Sequence, residues 1–156
     1  MTAMMVMGIG NELGGDDGIG NRVAQLLNQR LEAASDEPGI LCIDAGTVPE
    51  NYTSIIRRQQ PQLLVLVDAA EMGLEPGAVR LVKPDRLKTL SFSTHSMPLT
   101  VLIDYVKELC GRVVLIGIEP SEKEHGQGLS VPAEQTAEQV VALLLTGRCN
   151  EIEVLE

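Results

Sequence analysis

The segment Leu63-Leu64-Val65-Leu66-Val67 is apolar at every one of its positions. A strand with one face in water alternates apolar and polar residues; a run without alternation, at strand length, needs cover on both faces. That requirement predicts a central parallel strand between two layers of helices, ending at Asp68. The rest of the chain supplies the layers. Residues 4–7 form a short apolar run opening into Gly8-Ile9-Gly10-Asn11, a buried strand followed by a glycine-rich turn. Residues 40–43 lead in the same way into Asp44-Ala45-Gly46-Thr47, and residues 79–82 and 113–118 read as two further strands. Between them, Ile19, Val23, Leu26, Leu27 and Leu31 share one helical face. Residues 49–59 form a second helix with Ile55 and Ile56 inward. Leu99, Leu102, Ile103, Val106 and Leu109 mark a third, with Ser96 as a candidate cap and Pro98 suited to the first turn. Ala137, Val140, Val141, Leu144 and Leu145 give a closing helix that stops near Gly147.

Strands alternating with helices across short loops predict an α/β fold. The expected form is a three-layer, doubly wound, mostly parallel five-stranded sheet with helices on both faces and right-handed crossovers. The 156 residues suit one domain, expected over residues 1–149, with 150–156 as a flexible tail. A formal charge of −10 leaves no basic stripe for phosphates, so nucleic acid is not expected as a partner. Cys42, Cys110 and Cys149 are odd in number, widely spaced and without a CxxC pair. They argue against a disulfide framework or a thiolate metal site and fit a cytoplasmic protein. The longest apolar runs are of strand length and the first ten residues lack a basic start, so neither export nor membrane anchoring is expected.

In an open α/β sheet the functional crevice lies outside the carboxyl ends of the parallel strands. Three acidic loops reach that edge: Asp16 and Asp17 after the first strand, Asp44 after the second, Asp68 after the third. Crowded carboxylates repel one another and lose hydration, and the remedies are a proton, a cationic side chain or a metal ion. No lysine or arginine lies beside these acids in sequence. His95 is the candidate nitrogen ligand, because the helix start that follows it favours the neutral imidazole that a metal requires. Two carboxylates and one imidazole suit a borderline ion such as nickel or zinc and leave positions open for a substrate; the spacing does not choose between them.

Each signal has a plainer reading. The glycine-rich segment from Gly10 to Gly20 can be an ordinary turn; as a dinucleotide loop it fails, because a pyrophosphate would meet Asp16 and Asp17. Asp68 can cap a turn, and a lone histidine before a helix is more often structural than a ligand; His95 gains weight only in company with the aspartates. Asp44 and Glu50 can orient loops or transfer protons, with Asp44 the better catalytic candidate. His125, in the polar stretch from Ser121 to Gly128, reads as solvated surface, and the cysteines as small buried hydrophobes.

Four blocks occur in order: Gly10-Asn11 with Asp16-Asp17-Gly18; Asp44-Ala45-Gly46-Thr47 with Pro49-Glu50-Asn51; Asp68-Ala69 with Met72-Gly73; and Thr94-His95-Ser96-Met97-Pro98-Leu99. In them the chain resembles the [NiFe] hydrogenase maturation endopeptidases, in particular the branch serving formate-hydrogenlyase-type hydrogenases, over about residues 4–119. The resemblance implies an endopeptidase, classed as aspartyl-type, that recognises nickel in the hydrogenase large subunit precursor. It would remove the C-terminal extension shortly after the last nickel-binding cysteine motif. It also implies metal contacts at Asp17, Asp68 and His95, with nickel supplied by the substrate and another divalent ion able to take its place in isolation. Related enzymes carry glutamate at the position of Asp17, so the acid matters more than its length. The catalytic candidates are Asp44, Asp17 and Asp68. No Ser-His-Asp order, Cys-His pair or HExxH helix supplies a familiar nucleophile or base, so water activated by Asp44 or by the metal is expected. The alternatives are a non-catalytic nickel carrier, a ligand binder of flavodoxin-like architecture, or a zinc peptidase of broad specificity.

Overall fold

A computed structural model describes residues 2–34, 39–93, 97–121 and 128–156. Its six strands are β1 (Met4–Ile9), β2 (Ile40–Gly46), β3 (Leu63–Glu71), β4 (Val79–Val82), β5 (Ser91–Phe92) and β6 (Arg112–Ile118). The helices are α1 (Ile19–Ala33), α2 (Thr53–Gln59), α3 (Leu99–Val106) and α4 (Val131–Leu145). The sheet runs β2-β1-β3-β6-β4, with β5 paired to β3. The pairs β1–β2, β1–β3 and β3–β6 are parallel; β4 and β5 are antiparallel to their neighbours.

Residues 64–67 of β3 are completely buried and divide their side chains between two cores. Val65 and Val67 join Val6, Ile116 and the inner faces of α1 and α4. Leu64 and Leu66 join Met5, Met7, Leu115 and residues of α2 and α3, among them Ile56, Leu102 and Val106. This is the doubly covered central strand that an unbroken apolar run requires.

Several boundaries differ from the sequence reading. β3 does not stop at Asp68 but continues to Glu71, because the small residues Ala69 and Ala70 still pair, Ala69 with Ile118 of β6 and Ala70 with Phe92 of β5. The two-residue β5 makes six strands where five were expected. The helix expected over 49–59 opens as a 3-10 turn at Pro49–Tyr52 before α2 begins. Pro98 stands just ahead of α3 rather than in its first turn, and the candidate cap Ser96 lies outside the described residues. Residues 150–156, expected as a flexible tail, lie along β4: the Leu81 N–H donates to the Glu153 carbonyl and the Leu155 N–H to the Leu81 carbonyl, each at 2.9 Å. Burial of Ile152 and Leu155, at 6% and 8% exposure, supplies the apolar drive for that docking.

The start of α1 sits directly on the sheet backbone. A Cβ on Gly20 would stand 2.1 Å from the Ile9 carbonyl oxygen and 2.5 Å from that of Val67, so only glycine permits this approach. The consequence is positional. The 3-10 turn at Gly15–Gly18, which carries Asp16 and Asp17, is held over the carboxyl ends of β1 and β3.

Candidate active site

Asp68 is the one charged residue type in the buried length of β3, and its side chain is fully excluded from solvent. Oδ1 accepts a hydrogen bond from the Ser93 hydroxyl, just beyond β5. Oδ2 is buried with no hydrogen-bond partner among the described residues. Burial pushes the Asp68 carboxyl well above the usual carboxylate range; Ser93 and the Ala69 N–H act in the other direction, and the charge of Asp17 raises it further. A buried oxygen with no donor among the described residues, under the influence of a second carboxylate, is a position that calls for a proton or a cation.

The two neighbouring acids on the 3-10 turn face different surroundings. Asp16 is buried and takes four hydrogen bonds: the Ser121 N–H and hydroxyl at 2.9 Å, and the Ser130 N–H and hydroxyl at 2.7 Å. Burial alone would raise its pKa, but these donors outweigh it and hold the carboxyl below its ordinary value. Ser130 also caps α4, its hydroxyl accepting from the Ala133 N–H, so Asp16 fastens the first loop to the last helix. Asp17 is half-buried, and it is Asp17 whose charge bears on Asp68.

Asp44 stands apart from this pair. Oδ1 accepts from the Asn21 side-chain amide at 2.7 Å and from the Gly46 N–H at 3.2 Å. It opens on a cleft of about 480 Å³ whose lining includes Gly10, Asn11, Glu12, Thr47 and Tyr52 and, among the described residues, contains no lysine or arginine. Asp44 is in register with Gly8, which is in register with Val67, so strand alternation sends Asp44 and Asp68 to opposite faces of the sheet. The expectation that three loops converge their carboxylates in one cluster is therefore corrected: Asp17 and Asp68 interact, Asp16 turns to α4 and Asp44 faces a neighbouring cleft. Among the described residues no three His, Cys, Asp or Glu side chains stand close enough to hold a metal ion. His95 and His125 lie outside the described residues. Glu50, on the Pro49–Tyr52 turn, has one buried oxygen without a hydrogen-bond partner among the described residues.

Ser93, Asn21, Ser121 and Ser130 escape a reading of the sequence. Each bonds an aspartate 23 to 114 residues away, and hydroxyl and amide side chains carry no local signal of such pairing. Glu119 is likewise buried, its carboxylate accepting from the N–H groups of Met72 at 2.8 Å and Leu74 at 3.1 Å and so fixing the turn after β3.

Comparison with known proteins bears on this arrangement. The model of the HycI hydrogenase maturation proteases matches residues 22–147. The hydrogenase 3 maturation protease of Escherichia coli K12 is 41% identical over 113 residues, spanning 72% of this chain and 69% of that protein. A putative hydrogenase maturation protease of Methanocaldococcus jannaschii is 35% identical over 121 residues, spanning 75% and 72%. The crystal structure of a hydrogenase 3 maturation protease superposes with a TM-score of 0.83 at 34% identity, covering 99% of this chain and 97% of the other. That of the [NiFe] hydrogenase maturation protease HycI from Thermococcus kodakarensis KOD1 gives 0.78 at 35% identity, covering 94% and 92%. The fold, the order of the acidic loops and these matches together assign the chain to the hydrogenase maturation proteases, enzymes that hydrolyse peptide bonds.

Proposed function

We propose that this protein recognises nickel already seated in a [NiFe] hydrogenase large subunit precursor and then removes the precursor's C-terminal extension. The observation that carries the reading is the buried Oδ2 of Asp68, without a hydrogen-bond partner among the described residues, together with the charge of Asp17. A divalent cation fits that need, and a carboxylate pair with the imidazole of His95 suits nickel while leaving positions for groups of the precursor. Nickel here belongs to the substrate: it tethers the precursor tail beside the cleavage point and reports that the metal centre is complete.

Hydrolysis falls to this chain's own groups. Across two strand spacings of about 4.8 Å each, Asp44 and Asp68 are separated by about 10 Å of backbone, a span that extended peptide covers in about three residues. Because the two side chains leave the sheet on opposite faces, a tail anchored at Asp68 must pass over the carboxyl end of β1 to lay a peptide bond over the cleft at Asp44. Asp44 accepts a proton from water as the water oxygen bonds to the scissile carbonyl carbon; the carbon–nitrogen bond then breaks and that proton passes to the leaving amine. Bound nickel would supply Lewis acidity nearby. The reaction belongs in the cytoplasm, where three unpaired cysteines are stable; no helix of the described residues is long and apolar enough to cross a membrane. A non-catalytic nickel carrier finds no support among relatives named as proteases.

The test incubates the protein with nickel-loaded and nickel-free precursor and compares the intact masses of the large subunit. Loss of a defined C-terminal peptide from the loaded form alone, abolished in Asp17→Ala and His95→Ala, is expected. An unchanged mass with a competent precursor, or equal cleavage of both forms, would overturn nickel-gated processing.

A further inference from the structure

We infer that Asn21 is a positioning residue for Asp44, holding its carboxylate so that one oxygen is engaged and the other is left for the substrate water. The inference rests on the assignment of Asp44 as the water-activating group and extends it to the residue that aims it. Asn21 lies in the first turn of α1 at 2% exposure, beside Gly20 and Ala24, which are also buried. A buried amide is unfavourable unless it is bonded. The bond it makes runs to Asp44, at the 2.7 Å typical of a donor facing a charged acceptor.

The geometry fixes which way the amide points and what the bond does. Its oxygen is buried without a hydrogen-bond partner among the described residues and lies 2.7 Å from where a Cβ on Gly10 would stand, so glycine at that position makes the room. Turning the amide over would set oxygen against the Asp44 carboxylate and lose this bond, so the Nδ2 end is held toward Asp44. Both donors that reach Asp44, the Asn21 amide and the Gly46 N–H, fall on Oδ1. Oδ2 has no partner among the bonds of the described residues, on a side chain that lines the 480 Å³ cleft. Two donors on one oxygen, one from a helix seated on the sheet and one from the strand's own turn, set the carboxylate plane. A carboxylate held in this way keeps a fixed direction toward the water it deprotonates.

The experiment measures single-turnover cleavage of nickel-loaded precursor over a range of enzyme concentrations, giving a maximal rate and a half-saturating concentration. Proteins compared are wild type, Asn21→Leu, Asp44→Asn and the double variant. Asn21→Leu is expected to lower the maximal rate about 10- to 100-fold, the size of a lost bond to a charged group, with half-saturation within about twofold. In the Asp44→Asn background the same change is expected to add nothing, because a residue acting through Asp44 has nothing left to aim. Should Asn21→Leu fail to fold, Asn21→Ser, too short to reach Asp44, carries the same expectation. An unchanged maximal rate in Asn21→Leu while Asp44→Asn is slow, or an equal loss in both backgrounds, would overturn the positioning role alone. A full rate in Asp44→Asn would overturn the assignment of Asp44 itself, and this inference with it.

Discussion

Asp16 and Asp17 are adjacent and identical in chemistry, yet their backbone positions on a 3-10 turn send one into a ring of hydroxyl and amide donors and the other toward Asp68. The difference is measurable in stability. Asp16→Ala leaves the donors of Ser121 and Ser130 unmatched and is expected to cost about 2 to 3 kcal/mol near pH 7. The folded state lowers the pKa of Asp16, so its contribution is present above the ordinary aspartate value of about 3.9 and fades as pH falls through the lowered value. Urea midpoints of wild type and variant should therefore differ most near neutrality and draw together below about pH 4. At this scale the sequence marks the acids but not their roles. Asp68 stands out because it follows five apolar residues, whereas the assignment of Asp16 to structure depends on serines more than 100 positions away.

At the scale of elements, the contact between α1 and the sheet decides where the acidic turn sits. The Gly20→Ala variant places a methyl against the Ile9 and Val67 carbonyls, which are backbone atoms and cannot swing aside. Shifting α1 is expected to cost about 3 kcal/mol, lowering the melting temperature by about 6 to 12 °C, and a thermal scan checks it. The apolar run of β3 and the spacing along α1 were legible because burial on two faces, or on one helical face, writes itself into composition at a fixed period. The continuation of β3 to Glu71 was not, since an aspartate in a strand reads as its end. Nor was the divergence of Asp44 from Asp68, which depends on the register of three strands and not on any one segment.

At the scale of the whole molecule, the closing segment completes the second core by lying beside β4, and Leu155 joins the cluster formed with α2 and α3. Leu155→Ala is expected to lower stability by about 2 kcal/mol, the lower end for a buried leucine because the site lies near the surface; guanidinium unfolding measures it. In sequence that segment reads as a frayed end because seven residues hold too few apolar side chains to declare a partner, and the partner, β4, lies about 70 positions upstream. Its position has a further consequence. A protein that receives the extended end of another chain exposes itself to misdirected pairing, because a bare strand edge offers a loose peptide the same ladder of donors and acceptors as a true binding site. By occupying the outer side of β4, the enzyme's own C-terminal residues remove one such decoy, so that an incoming tail is not captured at a border where it could be neither inspected nor cut.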